Sequence, residues 1–398
     1  MLGRRGGHPR HPTRLGARTA RHPPRQKKVR WHSTFGLISV TEQQLRRGRR
    51  GKLLRPFCRQ AQVHPRGYST LLQRVLTDFG AETAFGQVPA RVREHYGISV
   101  PTSAVRERTL QHAQAAWATS PPSTPSALAD TVIAEMDGSL IPLLDNEPPP
   151  ATTGNAPAPA PDRRRHKRLF WKEVRLCAAQ AAGRVQAYYA ATMDSVLAAG
   201  LAWEAVAARA GLGPPSRVHG VGDGAEWIAD QFALRFGGQG RYLVDFYHVS
   251  EYLAAAAPHC GAGGSADWLT RQTERLKANQ LEALLQDLAA HVEPAPTAAV
   301  GVVERARDEK SATPVRDCQR YLSKRRASLD YAGALARGLP IGSGLIESGH
   351  RHVVQARLKR AGAWWKPSTA KAMVALRVLR ANGDWEHYWR PFPHHLNN

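Results

Sequence analysis

Acidic residues are scarce in this chain of 398 residues, which has 32 Asp and Glu against 56 Lys and Arg and a formal net charge of +24. The first 41 positions contain no acid, and residues 1–60 contain 17 Lys and Arg with one acid, Glu42. A balance this basic argues against a polycationic partner. It favours a polyanionic one, such as nucleic acid.

Cysteine and long apolar runs are also scarce. The four cysteines lie at positions 58, 177, 260 and 318 with no CxxC pair, which excludes a disulfide framework and a zinc knuckle built from paired cysteines. No apolar run approaches the roughly 20 residues that a membrane-spanning helix needs. The sequence therefore predicts a soluble protein of a reducing cytoplasm, with no membrane partner.

The amino-terminal residues 1–33 combine many Arg and His with repeated prolines and no apolar stripe. An amphipathic targeting helix fits this composition poorly. We predict a disordered basic arm over 1–33 that binds phosphates by releasing counterions, without reading the base sequence.

Residues 34–120 show helical periodicity. "YSTLLQRVLTDFG" and "FGQVPARVREHYG" predict two helices, each ended by glycine. "ISVPTSAVRERTLQHAQAAWA" predicts a third helix that begins at Ser103 and carries Arg106 and Arg108 in its first turns. This succession is typical of a helix-turn-helix DNA-binding region. An ordinary three-helix bundle is the alternative.

After a Pro-rich linker at 121–127, residues 128–253 predict an α/β unit. Three strands are expected in "LADTVIAEMDGSLIPLL", "RLFWKEVRLCAAQAA" and "RVQAYYAATM", followed by a helix with Asp194 at its cap. "RVHGVGDGAEWIADQF" predicts a strand and a helix, and "RYLVDFYHV" one more strand. This order predicts a mixed sheet in which the first three strands form a meander and the later ones run parallel.

The rest of the chain predicts helices. Residues 254–339 are expected to form a helical insertion, and residues 340–390 are expected to return to the core as two long basic helices.

Three acids stand beside glycines: Asp137 in "MDG", Asp223 in "GDG" and Glu347 in "IGSGLIESG". Small neighbours let a phosphodiester approach closely. Taken singly, each acid also has a simpler explanation, as a turn residue, a helix cap or a solvated side chain. Together they suit two Mg²⁺ or Mn²⁺ ions about 4 Å apart, which activate water or a 3′-hydroxyl at a phosphodiester.

These motifs, with "DFYHVSEYL" at 245–253 and "IGSGLIESGHRHVVQARLKRAGAWW" at 341–365, resemble the DDE-type transposases of insertion sequences, in particular the ISKra type. The resemblance extends from about residue 35 to residue 390. It implies an RNase H-like core in two parts, 128–253 and 340–390, that flank the helical insertion. It also implies that Asp137, Asp223 and Glu347 are the catalytic ligands of two Mg²⁺ or Mn²⁺ ions.

The implied function is metal-dependent hydrolysis at transposon ends followed by strand transfer into target DNA. The implied partners are terminal inverted repeats and target DNA, bound by a homo-oligomer in the bacterial cytoplasm at the nucleoid. Two alternatives stay open: an RNase H-fold nuclease without strand transfer, and a domesticated, non-catalytic DNA-binding protein.

Asp245 and His248 match a DxxH pattern of such transposases, for which a structural hydrogen bond between strand and helix and a catalytic role are both open. Relatives often have paired cysteines before the helical region, whereas this chain has Cys58 alone, so we predict no zinc ribbon.

The residues expected to contact DNA carry a positive charge or an indole ring, and they are Arg106, Arg108, Arg351, Arg357, Lys359, Arg360, Trp364 and Trp365. Arg351 follows Glu347 by one helical turn, and the two tryptophans could stack on an unpaired base. A solvated charged face and core aromatics are the simpler explanations.

Overall fold

The computed structural model describes six stretches of the chain, namely residues 25–46, 53–118, 127–146, 167–261, 264–294 and 312–390. Several predicted features lie outside these residues. They are the arm up to residue 24, most of the Pro-rich linker, residues 147–166 of the predicted α/β unit and the part of the insertion at 295–311.

The described chain begins with a three-stranded antiparallel sheet of β1 (Arg25–Ser33), β2 (Gly36–Arg46) and β3 (Leu53–Leu54). The prediction of a disordered arm is therefore wrong for residues 25–33. Val29 and Trp31 point into a small core, where they face Val40 and Ile38 of β2. This apolar alternation, hidden among basic residues, is what makes the segment a strand.

Four helices follow: α1 (Pro56–Gln60), α2 (Thr70–Glu82), α3 (Val88–Tyr96) and α4 (Thr102–Ala118). The three helices predicted for this region are confirmed, although α4 begins one residue before Ser103. The first does not end at Gly80, because this glycine is buried at the crossing with α4, where a Cβ would collide with Thr109. Strands β1 and β2 precede them, so the region is not wholly helical.

The end of α2 is fastened to the carboxyl-terminal part of the chain. The Gly80 carbonyl accepts a hydrogen bond of 3.0 Å from Nε of Arg357, and the Ala81 carbonyl accepts one of 3.3 Å from Nη1 of Arg377. Arg377 also pairs with Glu82. Cations at the carboxyl end of a helix satisfy its last carbonyls and favour its dipole.

His112 of α4 is buried at the same junction. Its Nδ1 lies 2.9 Å from the Tyr388 hydroxyl and its Nε2 lies 3.1 Å from Oε1 of Gln73. Burial, with a smaller contribution from the charge of Arg108, lowers the pKa of His112 from 6.5 to about 4. The imidazole is therefore neutral in the folded protein at pH 7.

This depressed pKa predicts a loss of stability in mild acid. Between about pH 6.5 and pH 4 the unfolded chain binds a proton at His112 that the folded chain does not, so the free energy of unfolding falls as the pH drops. We expect the fall between pH 7 and pH 5 to be smaller by about 1 to 2 kcal/mol in His112→Gln. Denaturant unfolding at both pH values measures it. His387→Gln, at an exposed histidine of the same region, is the matched control, and an equal change in both variants would contradict the assignment.

The central sheet has five strands: β4 (Thr131–Asn146), β5 (Lys167–Ala181), β6 (Ala187–Thr192), β7 (Arg217–Gly222) and β8 (Gly240–Val244). Their order in space is β6-β5-β4-β7-β8. Strands β4, β5 and β6 pair antiparallel, whereas β7 pairs parallel with both β4 and β8. The predicted mixed sheet is confirmed.

Helices cover both faces of this sheet. Two helices connect parallel strands: α5 (Val196–Arg209) leads from β6 to β7, and α6 (Glu226–Phe236) leads from β7 to β8. Both pack on one face of the sheet around Trp203 and Phe232. The cap of α5 is Ser195 and not Asp194, because Oγ of Ser195 accepts the Ala198 N–H.

Strand β8 ends at Val244, earlier than predicted, because Asp245 starts α7 (Phe246–Cys260). The described part of the insertion continues with α8 (Ser265–Lys277), α9 (Leu281–Ala289), α10 (Pro314–Lys324) and α11 (Tyr331–Ala336). These helices share a core that contains Trp268 and Tyr331. The described helices include none long and apolar enough to cross a membrane.

The last segment is more broken than the two long helices predicted. It consists of α12 (Gly344–Gly349), a π-helical stretch (His350–Gln355), α13 (Ala356–Leu358), α14 (Pro367–Ala381) and α15 (Trp385–Trp389). The break before α14 is held by Trp365, whose carbonyl accepts a hydrogen bond of 2.8 Å from the Leu144 N–H of β4.

Candidate active site

Two of the three predicted acids lie side by side at the edge of the central sheet. Strands β4 and β7 are parallel, and their last paired residues are Glu135 and Val221. Asp137 and Asp223 each follow two positions later, so both lie just beyond the last paired residues of the two strands, and both line the same cavity. Strand β7 ends at this level, whereas β4 continues to Asn146 in its pairing with β5. Open α/β sheets bind ligands at the carboxyl ends of parallel strands, as here at the end of β7.

The third acid reaches the same edge through a buried hydrogen bond. Glu135 is 1% exposed, and its Oε2 accepts the backbone N–H of Ile346 at 2.7 Å. This bond ties α12 to β4 and places Glu347, the next residue, at the mouth of the site. Asp137, Asp223 and Glu347 all line one cavity of about 780 Å³.

Glu135 was not among the predicted site residues. Its burial, opposed by the hydrogen bond from Ile346 and assisted by the charges of Asp245 and Glu347, raises its pKa from 4.5 to about 8. The sequence signal was weak, because the partner of this glutamate lies 211 residues away along the chain.

Asp137 is held by close polar contacts. Its Oδ1 accepts the Gly138 N–H at 2.7 Å, and its Oδ2 lies 3.4 Å from Nε2 of His350. Burial lowers the pKa of His350 to about 4, so the ring is neutral at pH 7. His350, which the sequence analysis also missed, lies three residues after Glu347, one turn further along the same segment.

The loop that carries Asp223 is clamped by the helical insertion. Oδ1 of Asp223 accepts the Ala225 N–H at 2.8 Å, and its carbonyl accepts the Tyr321 hydroxyl at 2.6 Å. Gly224 has φ +80°, and its carbonyl accepts Nε of Arg325 at 2.7 Å. Since Arg325 and Tyr321 press on Gly224, a side chain there would be both strained and crowded.

Asp245, the first residue of the DxxH pattern, makes structural hydrogen bonds, which is one of the two roles left open for this pattern. Its Oδ1 accepts the N–H groups of Tyr247 and His248 and so caps α7. Its Oδ2 accepts the N–H of Ser343 at 2.6 Å and also the hydroxyl of that residue. Ser343 is the cap residue of α12, so Asp245 fixes the helix that carries Glu347.

His248 also lines the cavity. Its Nδ1 lies 3.5 Å from Oε2 of Glu251, and its ring meets the rings of Tyr252 and Tyr321 edge-on. The catalytic alternative for His248 stays a prediction.

The donor set fits a hard divalent cation by its chemistry, because all three acids offer carboxylate oxygens at one cavity. In the arrangement described, however, no three His, Cys, Asp or Glu side chains within the described residues converge closely enough to enclose an ion. Glu347 is the exposed member of the three, whereas Asp137 and Asp223 are half-buried.

The residues predicted to contact DNA divide into two groups. Arg106, Arg351, Lys359 and Trp364 are exposed, and Arg108 and Arg360 are half-buried. Arg357 and Trp365 are buried, so neither lies on the open surface predicted for them. Arg357 bonds to α2, and Trp365 packs in the main core.

Comparison with known proteins finds one curated relative and one family match. A curated protein of Streptococcus gallolyticus, described as "UPF0236 protein in vanSb 3'region", is 27% identical over 169 residues. The alignment covers 42% of this chain and 34% of that relative, so the match spans about a third of the relative's length. Residues 214–389, which include Asp223, Asp245 and Glu347, match the family described as "Uncharacterised protein family (UPF0236)".

Proposed function

We propose that this protein is a DDE-type transposase of an insertion sequence, with an RNase H-like core, that cuts transposon ends and joins them to target DNA. The observation that carries the proposal is that Asp137, Asp223 and Glu347 line one cavity, beside the end of the parallel pairing of β4 and β7. The strand order β6-β5-β4-β7-β8 and the helical insertion between Asp223 and Glu347 support it.

Asp137, Asp223 and Glu347 would hold the divalent ions, Mg²⁺ or Mn²⁺. When bound, such ions supply charge neutralisation and activation of water or a 3′-hydroxyl. The chain itself contributes placement. Asp137 is set by β4, Asp223 by the clamp of α10, and Glu347 by the bonds of Glu135 and Asp245 to the start of α12.

Neutral His350 beside Asp137 adds no competing positive charge at the site.

The test of the proposed function is an in vitro reaction on duplexes taken from either side of the coding sequence. Nicking together with joining to a second duplex supports the transposase. Nicking without joining would indicate the nuclease, and binding without nicking the non-catalytic alternative.

A basic surface that suits DNA lies on the amino-terminal sheet. Lys28 and Arg30 point away from its core, opposite Thr41 and Ser39, and all four side chains are exposed. No acidic residue shares this outer face of β1 and β2. A two-stranded ribbon of this kind fits the major groove of duplex DNA.

The outer face of β1 and β2 continues onto α4. The ring of His32 stacks on Tyr68 at 4.9 Å, and the guanidinium of Arg108 lies 5.6 Å from the centre of the same Tyr68 ring. The His32 N–H donates to the Gly67 carbonyl at 2.9 Å, which fixes the strand to the start of α2. We therefore propose that the ribbon and the first turns of α4 bind one stretch of DNA.

The double variant Lys28→Ala/Arg30→Ala is expected to weaken binding to terminal and random DNA alike. Removing two phosphate contacts should lower the slope of log affinity against log salt by about two. Fluorescence anisotropy over a salt series measures both quantities. Deleting residues 1–33 would be a poorer test, since it removes β1 itself.

The control for this experiment is Arg184→Ala/Arg217→Ala, which removes the same charge from exposed positions near the opposite edge of the central sheet. Equal losses in both double variants would show that only net charge matters and that the ribbon has no special role.

A further inference from the structure

A second cavity lies away from the carboxylates, where α4 meets the break between α13 and α14. Its volume is about 630 Å³, within the range of small-molecule sites. Leu144 at the end of β4 and Phe85 before α3 form part of its wall. The hydrogen bond from the Leu144 N–H to the Trp365 carbonyl holds the wall together.

The lining of this cavity is cationic. Arg106, Arg357, Arg360 and Lys366 contribute to it, and none of its described lining residues is acidic. Four positive groups around an unneutralised space repel one another, and an anionic ligand relieves that repulsion.

Arg357 is the unusual member of the four, because it is only 2% exposed. Its guanidinium lies over the rings of Phe85 and Trp365, 4.6 and 4.7 Å from their centres, and these two rings meet edge-on at 6.1 Å. Its Nε donates to Gly80, whereas its Nη2 is buried with no hydrogen-bond partner among the described residues. A buried donor left unsatisfied in this way is costly, and a bound acceptor group would remove the cost.

The cavity also offers a stacking surface. Trp364 is 51% exposed at its rim, directly beside the buried Trp365. The exposed half of this indole gives a base a flat, sequence-tolerant partner. Aromatic surface and positive charge in one cavity match the two halves of a nucleotide.

We infer that this cavity binds one unpaired nucleotide of a DNA strand, with its base on Trp364 and its phosphate among Arg106, Arg360 and Lys366. The inference rests on the proposed function, since it takes the ligand to be DNA. A nucleotide within a strand is favoured over a free one because Arg106 lies on α4, whose first turns adjoin the basic face of β1 and β2.

The experiment compares two labelled duplexes, one blunt and one with a short single-stranded 3′ extension. We expect the full chain to bind the extended duplex about tenfold more tightly, which is within the range for one stacked base. Trp364→Ala should remove this preference, and Trp364→Phe should keep most of it. An extension carrying 2-aminopurine should lose fluorescence on binding to the wild type and not to Trp364→Ala.

Trp117→Ala is the matched control, because Trp117 is also 51% exposed on α4 but does not line the cavity. Equal binding of both duplexes by the wild type, or an equal loss in Trp117→Ala, would overturn the inference. The inference would also be overturned if free deoxyadenosine monophosphate competed equally well against the blunt and the extended duplex. Failure to bind either duplex would instead count against the proposed function.

Discussion

Asp223→Asn is expected to reduce nicking of a labelled terminal duplex by about a thousandfold or more, with folding and DNA binding intact. The substitution keeps the shape of the side chain. Its Oδ1 still accepts the Ala225 N–H, so the loop should lose little stability. What it removes is the negative charge that would hold a divalent cation beside Asp137.

The measurement is single-turnover nicking with Mg²⁺ and then with Mn²⁺, alongside an anisotropy assay of DNA binding. Asp230→Asn, at an exposed aspartate on α6, removes the same charge away from the cavity and should nick normally. Near-normal nicking by Asp223→Asn would overturn the metal-ligand assignment and most of the case for a transposase.

Asp245 is expected to have the second-largest effect, through position and not through contact with DNA. Asn at position 245 can still cap α7 with its Oδ1, but its amide nitrogen cannot accept the Ser343 N–H. Two donors then face each other in a buried place, which costs about 1 to 3 kcal/mol of stability. The start of α12, and with it Glu347, is released from its anchor.

We therefore expect Asp245→Asn to lower the thermal midpoint and to slow single-turnover nicking by about a hundredfold at saturating DNA, with unchanged DNA affinity. Ser343→Ala is the graded control, because it loses the hydroxyl bond and keeps the backbone bond. It should lie between wild type and Asp245→Asn in both measurements. If the variant is less stable but its folded fraction nicks at the normal rate, Asp245 is only a structural residue.

The part of the site on the sheet could be predicted from local pattern. Asp137 and Asp223 follow apolar segments that read as strands, and the rule that a helical crossover joins parallel strands brings their ends together. No distant partner is needed for that conclusion. The meander of β4, β5 and β6 and the parallel direction of β7 and β8 were predicted in the same way, but the position of β7 beside β4 was not.

Other features depend on partners far along the chain. Glu135 looks like an ordinary charged residue of a strand until Ile346 is placed against it. Arg357 reads as one more surface cation until the end of α2 and the rings of Phe85 and Trp365 surround it. Strand β1 was missed because its charged outer residues dominate the composition, while only alternate positions such as Val29 and Trp31 are buried.

The attachment of α2 to the carboxyl-terminal helices fixes the distance between the amino-terminal helices and the candidate active site. Arg357 and Arg377 bond to the last carbonyls of α2, and His112 joins α4 to Tyr388, so the helices that would bind DNA share buried contacts with the segment that carries Glu347. No flexible tether separates the two among these described residues. On the proposed function, the offset in base pairs between the recognised sequence and the nick is then a fixed property of the fold. A base pair inserted between them would leave the offset unchanged and move the cut to a different nucleotide.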